Sequence, residues 1–194
     1  MSYYSEHAQE FIDNTIDCDM SEQYRLFEKY LNKKGAILDI GFGSGRDSLY
    51  FKSKGYKVYS IDPEVKFVKH AKELGLDNVF LLHAEDMNFQ NMFDGIWACA
   101  SLLHIKSVDL NVVFKKCDCA LKNNGIMYAS FKYGEFEGVR NGRIYLDLNE
   151  TNLISYLQST NLKVIRQLIS KDVRPGREEK WYNVVLVKKV DQCS

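Results

Sequence analysis

Little in this chain of 194 residues would tie it to a membrane, a nucleic acid or an oxidising compartment. Its 26 Lys and Arg residues balance its 26 Asp and Glu residues, so the formal net charge is zero. A balanced chain lacks the electrostatic footprint of a nucleic-acid groove or an anionic lipid surface. No apolar run approaches the length of a membrane span. Residues 1–7 lack the basic-then-apolar pattern of a signal peptide. The five cysteines, Cys18, Cys99, Cys117, Cys119 and Cys193, are odd in number and form no C-x-x-C pair of the metal-binding kind. Cys117 and Cys119 fall two apart on an expected helix and so face different sides. Reduced thiols in a cytoplasmic protein, with no metal or disulfide site, are the reading these absences give. Repeats, low-complexity tracts and linkers are also missing. The length suits one domain over residues 1–194 with a full core.

What is present is organised around Ile37-Leu38-Asp39-Ile40-Gly41-Phe42-Gly43-Ser44-Gly45-Arg46-Asp47-Ser48. The apolar run Ala36 to Ile40 reads as a short buried strand, and it breaks into three glycines at alternate positions. Leu49, Tyr50 and Phe51 then begin a helix that Gly55 ends. Strand, glycine turn and helix open a doubly wound α/β fold. The glycines let bare backbone approach a ligand, and unpaired N–H groups at the helix start attract an anion. A second apolar strand, Tyr56 to Ile61, ends in Asp62. A carboxylate at that tip can accept hydrogen bonds from both ribose hydroxyls of an adenosine. The dinucleotide fingerprint G-x-G-x-x-G would place its third glycine one position later than Gly45, which keeps a nicotinamide oxidoreductase as the weaker alternative.

With Asp39 before the glycines and Asp62 after the second strand, the chain resembles the class I S-adenosylmethionine-dependent methyltransferases. The resemblance covers essentially the whole chain. It implies an α/β fold: a Rossmann-like, doubly wound sheet of seven strands in the order 3-2-1-4-5-7-6, strand 7 antiparallel, with helices on both faces. Residues 1–33 would form lid helices and residues 34–190 the core. The cofactor implied is S-adenosyl-L-methionine. Its methionine moiety would be clasped by Gly41, Phe42, Gly43 and Gly45, with Arg46 nearby. Asp62, with Pro63 beside it, would hold the ribose. The segment His83, Ala84, Glu85, Asp86 and Met87 would surround the adenine. His83 stands where the family usually carries an acid, so either Glu85 or Asp86 takes that role, or backbone near Ala84 and the apolar wall of Met87 do. Stretch Gly43 to Phe51 is similar to the tellurite-resistance type and related small-molecule enzymes.

The remaining elements follow in order. Ala8–Ile16 and Ser21–Leu31 have apolar residues at helical spacing, with Ser21 read as an N-cap. Tyr4, Phe11 and Thr15 are candidates to close over cofactor or substrate, or else only pack their helix down. A helix at Pro63–Leu74, a third strand at Asn78–His83 and a fourth at Phe93–Ala100 come next. Ala100, Ser101 and His104 fall where the reactive methyl group would lie. His104 is either a general base, which its ordinary pKa suits, or a loop anchor. A helix at Asp109–Leu121 and a fifth strand at Gly125–Phe131 lead into a polar loop, Lys132 to Arg143, read as mobile surface or as a substrate loop that includes Lys132. A helix at Glu150–Gln158 and strands at Leu162–Ile169 and Trp181–Lys188 complete the chain. Between those strands, Arg174 and Arg177 flank Pro-Gly. They either reach an anionic substrate or pair with Asp172, Glu178 or Glu179.

The function implied is methyl transfer by in-line displacement to a small-molecule acceptor. No Asn-Pro-Pro-Tyr type motif argues for DNA bases, and neither nucleic acid nor membrane is expected as a partner. The chain would act as a monomer or homodimer. A cofactor-binding module without catalysis is the other alternative.

Overall fold

The computed structural model describes residues 3–31, 35–174 and 176–190, so Pro175 and Cys193 lie outside the described residues. Short apolar runs become central strands buried on both faces. The strands are β1 (Ala36–Ile40), β2 (Lys57–Asp62), β3 (Asn78–Leu81), β4 (Phe93–Ala98), β5 (Leu121–Lys132), β6 (Glu137–Arg140), β7 (Arg143–Leu146), β8 (Leu162–Lys171) and β9 (Lys180–Lys188). Seven of them form one sheet in the order β3-β2-β1-β4-β5-β9-β8, with β6 and β7 paired separately. β9 is antiparallel to both of its neighbours, and the other pairings in that sheet are parallel. With the β6–β7 hairpin left out of the count, this is the expected order, antiparallel strand included.

Among the described residues six α-helices accompany the strands: α1 (Tyr3–Thr15), α2 (Ser21–Glu28), α3 (Arg46–Ser53), α4 (Val65–Glu73), α5 (Ser107–Ala120) and α6 (Leu153–Leu157). Successive strand residues point to opposite faces of a sheet, and the core divides accordingly. Leu38, Ile96 and Met127 pack with Leu110 and Phe114 of α5 and Leu153 of α6. Ile37, Trp97 and Tyr128 pack with Tyr24 and Phe27 of α2 and Phe51 of α3. Trp97 stacks on Tyr128 with ring centroids 4.1 Å apart, and both are fully buried. Gly95 lets α2 settle on this face, because a Cβ there would stand 2.7 Å from Leu31 Cδ2 and 2.8 Å from Phe27 Cζ. Among the described residues no helix is long and apolar enough to cross a membrane.

Three local expectations are corrected. The polar stretch from Lys132 to Arg143 is no open loop: β5 runs on to Lys132, and Glu137–Arg140 pairs with Arg143–Leu146 as an antiparallel hairpin turning at Asn141 and Gly142. Ser21 opens α2 without capping it; its N–H donates to Asp19 Oδ1 at 2.8 Å, so the aspartate two residues earlier satisfies that group. The helix behind the glycines starts at Arg46, three residues before its first apolar side chain.

Candidate active site

The carboxyl ends of β1, β2, β4 and β5 open onto a cavity of about 470 Å³, with residues of α1 on its wall. This is where open α/β sheets present ligands, at the point where strand order reverses between β1 and β4. The volume lies within the range of small-molecule sites.

The glycine turn follows from chirality. Gly41, Gly43 and Gly45 have φ of +70°, +52° and +82°, a region that costs a side-chain-bearing residue about 1–2 kcal/mol. At Gly43 an added Cβ would also lie 2.7 Å from Phe11 Cε1, so the missing side chain lets α1 press against the turn. Gly43→Ala is therefore expected to weaken binding of S-adenosylhomocysteine, the demethylated cofactor, by about tenfold or more and to lower stability by about 1–3 kcal/mol. Calorimetric titration and chemical denaturation check the two effects.

Asp62, at the end of β2, is buried and turned toward that loop. Its Oδ2 accepts from Gly43 N–H at 3.1 Å and its Oδ1 from Glu64 N–H at 2.9 Å. A carboxylate has about four lone-pair sites, so two remain for a ligand's hydroxyl groups. Burial pushes its pKa up to about 6, against the pull of the two backbone N–H bonds. A raised folded-state value means that this group favours the native state while protonated and opposes it increasingly as pH rises from about 4 to about 6. The ionised form accepts hydroxyl donors more strongly than the neutral acid. S-adenosylhomocysteine affinity is therefore expected to rise about tenfold between pH 5 and pH 7 and level off above, which titration at a series of pH values measures.

Beside the turn lies a buried charge that carries much of the local order. Asp47 Oδ1 accepts from Tyr24 Oη at 2.6 Å and Arg46 Nε at 2.7 Å; its Oδ2 accepts from Trp97 Nε1 at 2.8 Å and Arg46 Nη2 at 3.0 Å. Arg46 Nη1 reaches the Thr15 carbonyl of α1 at 3.2 Å. Burial works to raise the Asp47 pKa, but Arg46 and the bonds from Tyr24 and Trp97 outweigh it and hold the carboxyl below its usual range. Asp39 accepts from Ser48 Oγ at 2.6 Å; burial, then the Asp47 charge, push its pKa well above the usual range.

A second polar chain stands across the cavity. His104 Nδ1 lies 2.7 Å from the Ile144 carbonyl, which can only accept, so that nitrogen carries the proton. Nε2 then accepts from Tyr4 Oη at 3.0 Å, and Tyr4 Oη accepts from Arg143 Nη1 at 3.1 Å. Burial, with the positive charges of Arg143 and Lys132 adding to it, lowers the His104 pKa to about 4, so the imidazole is neutral at pH 7. Ala100, at the end of β4, has φ +51°, and its N–H donates to Ser130 Oγ at 2.8 Å. Such backbone conformations concentrate at functional sites.

Of the residues singled out from the sequence, the cavity brings together Tyr4, Phe11, Thr15, Gly41, Phe42, Gly43, Arg46, Asp62, Pro63, His83, Ala100, Ser101, His104, Lys132, Arg174 and Arg177. Gly45 instead caps α3 and faces Leu74 and Leu76. Ala84, Glu85 and Asp86 form a short 3-10 turn away from the lining, and Met87 is fully buried in the core. Tyr4 and Phe11 do both things open to them: they line the cavity and pack edge to face at 5.3 Å. Arg174 forks onto Asp172, which also accepts from Trp181 Nε1, while Arg177 stands 3.7 Å from Glu179. Two residues of the site had no role of their own in the sequence reading: Asp47 stood unassigned in the glycine stretch, and Arg143 was the last residue of the polar loop read as mobile surface or substrate loop. The alternation of Arg143 and Tyr145 on one face of β7 was the available signal for the second.

Comparison with known proteins agrees with this geometry. A family model described as a methyltransferase domain matches residues 38–129. A Bacillus subtilis protein named as a methyltransferase, YqeM, is 31% identical over 122 residues, 57% of this chain and 49% of that protein. The phosphoethanolamine N-methyltransferase of Plasmodium falciparum is 32% identical over 103 residues, 50% of this chain and 39% of that protein. The chain thus spans half or less of the length of these two relatives. Among solved structures, Burkholderia thailandensis 1,6-didemethyltoxoflavin-N1-methyltransferase, with its substrate and S-adenosylhomocysteine bound, superposes with a TM-score of 0.78 at 18% identity, covering 96% of this chain and 84% of that one. Residues 38–129 are thus similar to a methyltransferase domain, and the fold is one shared with a methyltransferase that holds S-adenosylhomocysteine.

Proposed function

We propose that this chain transfers a methyl group from S-adenosyl-L-methionine to a small-molecule acceptor. The single observation behind this reading is the shape of the cavity. It brings a glycine turn and a buried ribose-type carboxylate into one cavity with His104, Lys132 and Arg143, of about 470 Å³, a volume in the range of small-molecule sites. The likeness of Gly43–Phe51 to the tellurite-resistance type favours the same small-acceptor class.

The cofactor supplies a sulfonium-activated methyl group, so the chain's own task is to bind, orient and keep water out. The Gly41–Gly45 turn, whose glycine N–H groups donate to Ile61, Asp62 and Phe42, would bring bare backbone against the methionine moiety, with Arg46 behind it. Asp62 would accept from the ribose hydroxyls, with Pro63 and His83 beside the nucleoside. Tyr4 and Phe11 of α1, with Thr15 tying that helix to Arg46, would close the site. Ala100, Ser101 and His104 would face the acceptor. Alignment of nucleophile, carbon and sulfur in such a site is worth about 7–11 kcal/mol in well-oriented systems. As the acceptor–carbon bond forms and the carbon–sulfur bond breaks, an acceptor that sheds a proton would pass it to the Tyr4 hydroxyl oxygen as that hydroxyl gives its own proton to His104 Nε2.

Methyl transfer is tested by supplying labelled S-adenosylmethionine and amine, hydroxyl, thiol and carboxylate acceptors. S-adenosylhomocysteine should accumulate with at least one class. Tight binding of S-adenosylhomocysteine without turnover on any class would replace catalysis by cofactor binding alone.

A further inference from the structure

The part of the cavity lined by β5, β7 and the β8–β9 connection carries more positive than negative charge. Its lining, from β5, β7 and the connection between β8 and β9, includes Lys132, Arg143, Lys171, Arg174 and Arg177. Two carboxylates stand beside these five cations, Asp172, which pairs with Arg174, and Glu179, which pairs with Lys132 at 2.9 Å and with Arg177 at 3.7 Å, while Asp47, Asp62 and Glu64 also line the cavity. The cofactor's sulfonium would add another positive charge to the same enclosure. Like charges in a poorly solvated space repel at several kcal/mol per close pair, so a neutral or cationic acceptor leaves that repulsion standing and an anion relieves it.

Two of the cations are arranged to receive such a group together. Arg143 Cζ is 5.2 Å from the centroid of the Tyr145 ring and Lys132 Nζ is 5.6 Å from the same centroid. That ring packs edge to face on His104, centroids 4.9 Å apart. Arg143 is also 5.6 Å from the Tyr4 ring and donates to its hydroxyl, so aromatic faces and a hydrogen bond hold the guanidinium in one orientation. Arg140 Cζ is 5.7 Å from that centroid too, so three cations surround one ring in the cavity wall; a planar fork and a point charge there suit a carboxylate or a phosphate monoester.

We propose that the methyl acceptor is a small anion whose carboxylate or phosphate is held between Arg143 and Lys132, which sets its nucleophilic atom beside His104. The inference rests on the cofactor reading above and deepens it from small molecule to anionic small molecule.

The test uses the full chain already saturated with S-adenosylhomocysteine. Sodium phosphate and sodium acetate are titrated into it calorimetrically at constant ionic strength. One of the two should bind saturably at one site per chain, phosphate if the acceptor is a phosphate ester and acetate if it is a carboxylate. Arg143→Gln and Lys132→Gln should each weaken that binding tenfold or more. Affinity of each variant for S-adenosylhomocysteine reports that it is folded. Lys132→Gln decides the matter if Arg143→Gln disturbs α1 through Tyr4. Absence of binding by both anions, or binding that neither variant weakens, overturns the inference. Failure of S-adenosylhomocysteine itself to bind would instead remove the cofactor reading.

Discussion

Asp47→Ala is expected to cost about 3–5 kcal/mol of stability in chemical denaturation, the largest single effect outside the hydrophobic core. Removing the carboxylate leaves the Arg46 guanidinium buried without its counter-charge and strands the Tyr24 hydroxyl and the Trp97 indole N–H. Loss of one partner from a buried pair costs more than the pair contributes, because the remaining charge stays desolvated. Asp47→Asn keeps acceptors for some of these donors and removes only the charge, so it should fall between wild type and alanine. Since the native carboxyl is held below its ordinary range, the stability it confers is present above the ordinary Asp pKa and is lost as pH falls through the depressed value. Equal stability of Asp47→Ala and wild type would show that α2, α3 and β4 are held by apolar contact alone.

Asp62→Ala is expected to raise the dissociation constant for S-adenosylhomocysteine by about 100-fold or more. Two hydrogen bonds from ribose hydroxyls to a charged acceptor contribute about 1.5–3 kcal/mol each, and 3 kcal/mol corresponds to roughly two decades in affinity. The variant also frees the N–H groups of Gly43 and Glu64, which loosens the turn and the start of α4. Asp62→Asn keeps one carbonyl acceptor and should lose less. An affinity for S-adenosylhomocysteine within threefold of wild type in Asp62→Ala would remove the ribose assignment.

Most of the framework could be read from residue order because it depends on local chemistry. β1 was legible to the residue, since Ala36–Ile40 is an apolar run cut off by glycine. The sheet order followed from the likeness that Asp39, the glycines and Asp62 carry. Less was legible where long-range contact decides. The β6–β7 hairpin hides behind its glycines and charges, and its pairing becomes visible only as partners, for example Arg140 beside Arg143 across the turn. Met87 follows two acidic residues, yet the chain turns there and buries it completely. His104 looked like either a base or an anchor. Its anchoring bonds come from Tyr4 and Ile144, 100 and 40 residues away, which no local pattern encodes. Asp47 was hidden for the same reason: its donors arrive from Tyr24 and Trp97, 23 and 50 residues distant.

The central claim is that the crevice at the ends of β1 and β2 is built for an adenosyl amino acid and not for a dinucleotide. Thermal unfolding of the wild-type chain with S-adenosylhomocysteine, and separately with NADH, tests this most directly. A ligand at 100 times its dissociation constant stabilises by about 2.7 kcal/mol, enough to shift Tm by several degrees. The account predicts such a rise with S-adenosylhomocysteine and none with NADH. A rise with NADH and none with S-adenosylhomocysteine would contradict it.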